Sequence, residues 1–218
     1  MTRPAQFARI FALVALAATL RATIIDRIAV SVGNRVITSS DIDREIRVVA
    51  FLDDTPPDFS AVARRSTAER MVEQKLIRRE LETNRYPVPD PAEVEPALVE
   101  LKKQFPGDDA WKRALAAAGI TEQDLRDELI WQRTLLLFIE VRFRPGVQVS
   151  DQEIQDYFQS TVEPAAKAAH PGQPVSLEDY RAQIEQKIAG QRVDQEVDSW
   201  LRQARARTEI VYHEEAFR

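Results

Sequence analysis

The chain has 218 residues, no cysteine and a net charge of −5 at pH 7. Its 44% hydrophobic and 30% charged residues are typical of a globular protein and not of a disordered one. The lack of cysteine excludes disulfides, thiolate catalysis and cysteine-ligated metals, and the acidic balance gives no indication of nucleic acid as a partner. Only 6 glycines stand against many Ala, Leu, Glu, Gln and Arg residues, which favours helices.

The N-terminus has a short basic start and then an apolar run. Arg3 and Arg9 come first, IFALVALAATL follows, and Ala22 or Ala18 can end a cleavage site. The run is too short to cross a bilayer, which takes about 20 apolar residues. The pattern predicts an export signal over residues 1–22 and therefore a periplasmic protein. An N-terminal helix of the mature fold and an uncleaved anchor are the alternatives.

The next segment predicts a β-hairpin that continues into a helix. The alternating sequence DRIAVSV and the short strand RVI flank Gly33 and Asn34, which tolerate the positive φ of a tight turn. One of the hydroxyl residues 38–40 can cap the following helix, which is expected to run to about Leu52.

Three helices are predicted in the middle of the chain. The first spans about 60–85, after the helix-breaking sequence DDTPPD. The sequence DPAE at Asp90 starts the second, because Asp caps, Pro fits the first turn and Glu lies three residues after the cap. Asp108 begins a third, short helix, and Gly119 can close it in a left-handed conformation.

A longer helix is predicted from Thr121 to Arg144, before Pro145. Its second half, residues 134–143, is apolar nearly all round. A helix of that kind is buried on several sides, so we expect it at the centre of the domain.

The last third of the chain predicts two helices and a strand. Ser150 opens a helix to about Val162, and the Pro/Ala-rich residues 163–174 are interpreted as a linker. A helix over 177–207 and the strand sequence TEIVY follow. We expect this helix to pack on the long central one, and the strand to join the hairpin. The predicted fold is mainly α: a multi-helix bundle with a small N-terminal β-hairpin joined by a C-terminal strand.

The sequence contains no recognisable catalytic or metal-binding motif. A nucleophile elbow, a phosphate loop and a His-Glu zinc motif are all missing. The two histidines, His170 and His213, are too few for most zinc sites and are interpreted as surface residues. Asp124, Asp127 and Glu128 are interpreted as part of a solvated helix face. We therefore predict no catalytic residue, no metal and no cofactor.

Four stretches, in this order, resemble the SurA-like periplasmic chaperones, a family that includes prolyl isomerases of the parvulin type. They are residues 24–46 (IIDRIAVSVGNRVITSSDIDREI), 119–143 (GITEQDLRDELIWQRTLLLFIEVRF), 147–159 (VQVSDQEIQDYFQ) and 184–213, the closing helix and strand. The resemblance implies a chaperone domain over 23–146, a lead-in helix and linker over 147–176, and a closing segment over 177–218. In the family this closing segment folds back onto the N-terminal helices.

The chain departs from the family pattern between the lead-in and the closing helix. In the family a parvulin domain of roughly a hundred residues usually lies there, whereas this chain has only residues 160–176. The two histidines also cannot form the histidine cluster that parvulins share. The resemblance therefore implies an ATP-independent holdase for unfolded outer-membrane or other exported proteins, with no isomerase activity.

Apolar residues at helix ends and in short elements are the predicted client contacts, because burial is least assured there. They are Phe51, Leu52, Phe59, Phe105 and Trp111. The alternative is that these side chains are ordinary core, as large aromatics mostly are. Two other functions remain open: a prolyl isomerase with an unfamiliar site, and a dedicated interaction subunit of one envelope complex. Nucleic acid and stable membrane insertion are not expected.

Overall fold

The computed structural model describes residues 26–218 as a mainly α-helical fold with a small antiparallel sheet, which confirms the predicted fold class. The export signal predicted over the first 22 residues lies outside the described residues. Within residues 26–218, no helix has both the length and the apolar character to cross a membrane.

The elements follow one another along the chain in nearly the predicted order. The strands are β1 (Ile28–Val32), β2 (Arg35–Thr38) and β3 (Ile210–Tyr212). The α-helices are α1 (Ser39–Leu52), α2 (Ala61–Asn84), α3 (Glu95–Lys103), α4 (Asp108–Ala118), α5 (Glu122–Arg142), α6 (Asp151–Tyr157), α7 (Glu163–Ala169) and α8 (Leu177–Ala206). Short 3-10 turns cover Pro91–Val94, Arg144–Gly146 and Glu214–Ala216, and a π turn covers Phe158–Val162.

Side-chain caps explain why the helices begin where the sequence predicts. At six starts a hydroxyl or carboxylate oxygen accepts a hydrogen bond from a backbone N–H that has no partner within the helix, whereas α3, α4 and α7 begin without a side-chain cap. Four of these starts are full capping boxes, in which an acidic side chain three residues on also accepts from the cap's own N–H. The boxes are at Thr38, Asp90, Thr121 and Ser150.

The sheet joins the two ends of the described chain. Its strand order is β2-β1-β3, and both neighbours run antiparallel to β1. Val30 lies opposite Ile37 on one side and Tyr212 on the other. Gly33 adopts a φ of +57° in the hairpin turn, and its N–H donates to the carbonyl of Glu209 at 2.8 Å. The prediction that the tail strand joins the hairpin is confirmed.

Helix α8 packs against the second half of α5, also as predicted. The Trp200 ring lies 5.6 Å from the Phe138 ring and 6.2 Å from the Phe143 ring, centroid to centroid. Val193 of α8 and Ile77 of α2 are buried in the same apolar cluster. The two ends of the described chain therefore meet in the sheet, and α8 covers part of the helical middle.

The prediction that residues 134–143 are buried on several sides is wrong. Phe138 is buried, but Leu136 and Val141 are 57% and 43% exposed. The partners of this half-helix, α2, α8 and the residues around Tyr86, leave one of its faces uncovered. The apolar residues on that face are exposed to solvent. The apolar sequence pattern therefore did not predict which faces of this helix are buried.

The interpretation of residues 163–174 as a linker is also wrong in its first half. Residues 163–169 form α7, which continues α6 through the π turn Phe158–Val162. Pro164 falls in the first turn of α7, directly after the π turn, and its fixed φ suits the helix. Only residues 170–176 lack regular helix or strand structure.

Trp200→Ala tests the docking of α8 on α5. We expect the free energy of unfolding to fall by about 2–3 kcal/mol, since a half-buried indole leaves a cavity between Phe138 and Phe143. The measurement is urea denaturation followed by circular dichroism. Val62→Ala is the control, because Val62 is 81% exposed and its loss should cost less than about 0.5 kcal/mol. Equal midpoints for the two variants would contradict this packing.

Candidate functional site

Four of the five predicted client contacts come together where α1 ends beside α3 and α4. The rings of Phe51 and Phe105 are nearly parallel, with centroids 6.0 Å apart and an angle of 4° between their planes. Both meet the Trp111 ring edge-on, at 5.7 Å and 5.2 Å. Leu52 packs against the same cluster. Residues that are some fifty positions apart in sequence thus form one aromatic group.

Trp111 is the buried anchor of this group. It is 3% exposed, and its indole Nε1 donates to Glu122 Oε2 at 3.0 Å. Lys102 Nζ lies 2.8 Å from the same carboxylate oxygen. Hydrogen bonds from Lys102 and Trp111 lower the pKa of Glu122, so the carboxylate stays ionised. Trp111 is therefore core, and it holds the rings above it rather than offering surface itself.

The half-buried members form a surface that we call the aromatic shelf. Its residues are Phe51, Leu52, Leu101 and Phe105, each in contact with the buried cluster beneath. Their lower faces pack on core, which fixes their positions, while part of each side chain remains open to solvent. The shelf is thus a group of partly exposed apolar side chains whose positions are fixed by the core beneath them.

Phe59 lies apart from the shelf. Its ring packs against the cluster beneath the sheet. The guanidinium carbons of Arg47 and Arg64 lie 5.2 Å and 5.8 Å from the ring centroid, within cation–π range. Arg64 is also held by Asp43, at 2.9 Å. The structure therefore does not bring Phe59 together with the other candidates, and its ring is already covered by two cations.

A charged crevice between α1, α2 and α5 is a second feature, which the sequence reasoning missed. Glu128 was interpreted as part of a solvated face, but it is half-buried there, and burial together with nearby Glu45 raises its pKa to about 7. The guanidinium of Arg78 lies 4.3 Å from the Trp131 ring centroid, and burial lowers its pKa. The helical spacing of the acidic residues did not indicate that Glu128 is half-buried while Asp127 is exposed.

A groove of about 480 Å³ between the segment 157–170 and α8 is the third feature. It could not be predicted, because part of its wall was interpreted as a linker. Its residues are mostly apolar, with a few polar side chains around them.

The described residues give no sign of a metal-based site. Within residues 26–218, no three His, Asp or Glu side chains lie close enough together to hold a metal ion. The histidines lie apart: His170 borders the groove, and His213 Nε2 lies 3.4 Å from Ser31 Oγ beside the sheet.

No protein-family model and no curated protein sequence matches this chain. The resemblance to the SurA-like chaperones, and the domain division that it implies, therefore stay predictions.

Glu128→Gln tests the electrostatics of the charged crevice. A carboxylate with a folded pKa of about 7 and an unfolded pKa near 4.5 binds its proton more tightly in the folded state. Its ionisation therefore costs stability progressively as the pH rises from about 4.5 to about 7, and the cost is complete above that. Glutamine keeps the shape and the hydrogen bond from Gln132, so the variant should be more stable than the parent at pH 8.

The expected gain at pH 8 exceeds that at pH 5 by about 1–2 kcal/mol, allowing for partial solvent exposure. Thermal or urea unfolding at the two pH values measures it. Glu196→Gln, at an exposed position on α8, should change stability by less than about 0.5 kcal/mol at both. A Glu128→Gln effect that does not change with pH would rule out the raised pKa.

Proposed function

We propose that this protein is an ATP-independent periplasmic holdase that binds unfolded outer-membrane or other exported proteins through the aromatic shelf. The observation that carries the proposal is the parallel pair Phe51 and Phe105, which is partly exposed and meets the buried Trp111 ring edge-on. An unfolded client exposes apolar and aromatic side chains, which this patch can cover.

The shelf suits reversible binding. Its rings are already ordered by their contacts with the core, so binding costs little further side-chain entropy. A few aromatic contacts contribute about 0.5–1.5 kcal/mol each beyond their buried area. Binding of this strength permits rapid exchange, and a client can leave by folding, with no nucleotide needed for release.

The closure of the chain ends supports the same proposal. In the family that the sequence resembles, the last helix and strand fold back on the N-terminal helices. Here β3 pairs with β1, and Trp200 of α8 packs on Phe138 of α5. The helices that carry the shelf and the closing segment therefore belong to one fold. It supports the family resemblance without testing the activity.

The proposal is tested by comparing Phe105→Ala with Phe59→Ala. A urea-unfolded outer-membrane protein is diluted into buffer, and its aggregation is followed by light scattering at increasing chaperone concentration. Phe105→Ala should require at least about twofold more protein for half-suppression, because it removes half of the parallel ring pair. Phe59→Ala should behave like the parent, since its ring is covered by Arg47 and Arg64.

Both variants delete a half-buried phenylalanine, so each controls for the loss of stability in the other. Urea curves establish that both are folded under the assay conditions. If the parent protein does not suppress aggregation, the proposed holding function is wrong. If the two variants lose the same amount of activity, the aromatic shelf is not the surface that binds the client.

The two other functions give different results in separate assays. A prolyl isomerase would accelerate the isomerisation of a proline peptide well above background. A dedicated interaction subunit would recover a single folded protein from the envelope fraction and would not suppress the aggregation of unrelated clients. For the proposed holdase we expect neither result.

A further inference from the structure

The groove beside α8 arises from the path of the chain around the π turn. Ile154 of α6 and Phe158, the first residue of the turn, are buried against Ile184 of α8. After the turn, α7 has no buried residue. The π turn alters the regular side-chain spacing of the helix, and such turns are frequently found at functional sites. It leaves α7 and α8 as the two walls of an open groove.

The floor and one wall of the groove are apolar. The wall formed by α7 consists of small side chains, so an elongated apolar ligand can lie close to the helix. The apolar lining residues are Val162, Ala165, Ala166, Ala169 and Ile184, together with the rings of Tyr157 and Tyr180. The volume of about 480 Å³ lies in the range of small-molecule sites, which is roughly 300–1,000 Å³.

The polar groups of the groove can all donate hydrogen bonds. They are the hydroxyl, imidazole, amide and ammonium groups of Tyr157, Thr161, His170, Tyr180, Gln183 and Lys187. Among the described residues that line the groove, none is acidic. A site with one fixed positive charge, several donors and no carboxylate is complementary to a single negative charge.

Lys187 is the cation that is free to make this interaction. Within residues 26–218, no carboxylate oxygen lies within 4.0 Å of its ammonium group. Lys167, on α7 but outside the groove lining, is by contrast paired with Glu163 at 2.6 Å. The lysine that borders the apolar surface is therefore the one available to a ligand.

We propose that this groove binds an amphiphilic carboxylate of the fatty-acid type. The carboxylate accepts hydrogen bonds from the Lys187 ammonium, and the alkyl chain lies along the alanine wall over Val162 and Ile184. Both parts are needed: the alkyl chain supplies burial of apolar surface, and the single cation selects the sign of the head group. This binding does not depend on the aromatic shelf or on the proposed holding function.

Decanoate, below its micelle concentration, is the probe that tests the proposal. It is titrated at pH 7.5 into the isotopically labelled full-length chain, and backbone amide shifts are followed by NMR. We expect saturable shifts confined to residues 157–170 and 180–187. Decyltrimethylammonium, with the same chain length and the opposite charge, should bind at least about tenfold more weakly, and acetate should cause no such shifts.

Two pairs of variants separate the groove from its surroundings. Lys187→Gln should weaken decanoate binding roughly threefold to fivefold, as expected for an exposed ion pair, whereas Lys167→Gln should not change it. Ala169→Glu places a negative charge in the lining and should weaken binding, whereas Ala168→Glu, at an exposed position outside the lining, should not. All four positions are exposed, so each variant should fold.

The proposal is overturned by any of three results: shifts that lie outside the groove, equal affinity for the cationic detergent, or equal effects of Lys187→Gln and Lys167→Gln. Suppression of client aggregation should be the same for Lys187→Gln and the parent. A negative result with decanoate would therefore not contradict the proposed holding function. A negative result in the aggregation assay would likewise not contradict the proposed groove site.

Discussion

The pairing of β3 with β1 is the constraint on which the rest of the fold depends. It ties Val30–Val32 to Ile210–Tyr212 and so fixes where α8 ends. Trp200 then fixes the C-terminal part of that helix against α5. Because α8 is held at both places, its N-terminal half extends as a firm support for α6 and α7. The groove is therefore positioned by a strand that lies beyond the far end of the same helix.

Tryptophan side chains connect the remaining layers, each with a cationic or hydrogen-bonding partner. Trp111 supports the aromatic shelf and donates to Glu122. Trp131 lies under the Arg78 guanidinium, which borders the crevice that holds Glu128. Burial raises the pKa of Glu128 and lowers that of Arg78 in the crevice. Beneath the shelf, by contrast, hydrogen bonds from Lys102 and Trp111 lower the pKa of Glu122. The apolar shelf and the charged crevice are thus both consequences of how the bundle buries its large rings.

Local hydrogen bonding explains most of what could be predicted from the sequence. A box such as that at Thr121 satisfies backbone groups whatever the rest of the chain does, so helix starts followed from a few residues. Exposure of Leu136, burial of Glu128 and the groove beside α7 depend on which elements become neighbours. The same holds for the shelf: Phe51, Phe105 and Trp111 were candidates individually, but their stacking could not be inferred. Pro164 contributed to the wrong prediction of a linker, because a proline is compatible both with a linker and with the first turn of a helix.

The three-stranded sheet has a consequence for the order in which the molecule can assemble. Val30 and Tyr212 are neighbours in space but lie at opposite ends of the described chain. Synthesis proceeds from the N-terminus, so the hairpin is made first. Its third strand is made only after every helix of the described chain. Closing so long a loop is slow, and such non-local topology lowers folding rates. Until that last step the nascent chain has no complete sheet, so the end of α8 has no strand pairing to hold it in place.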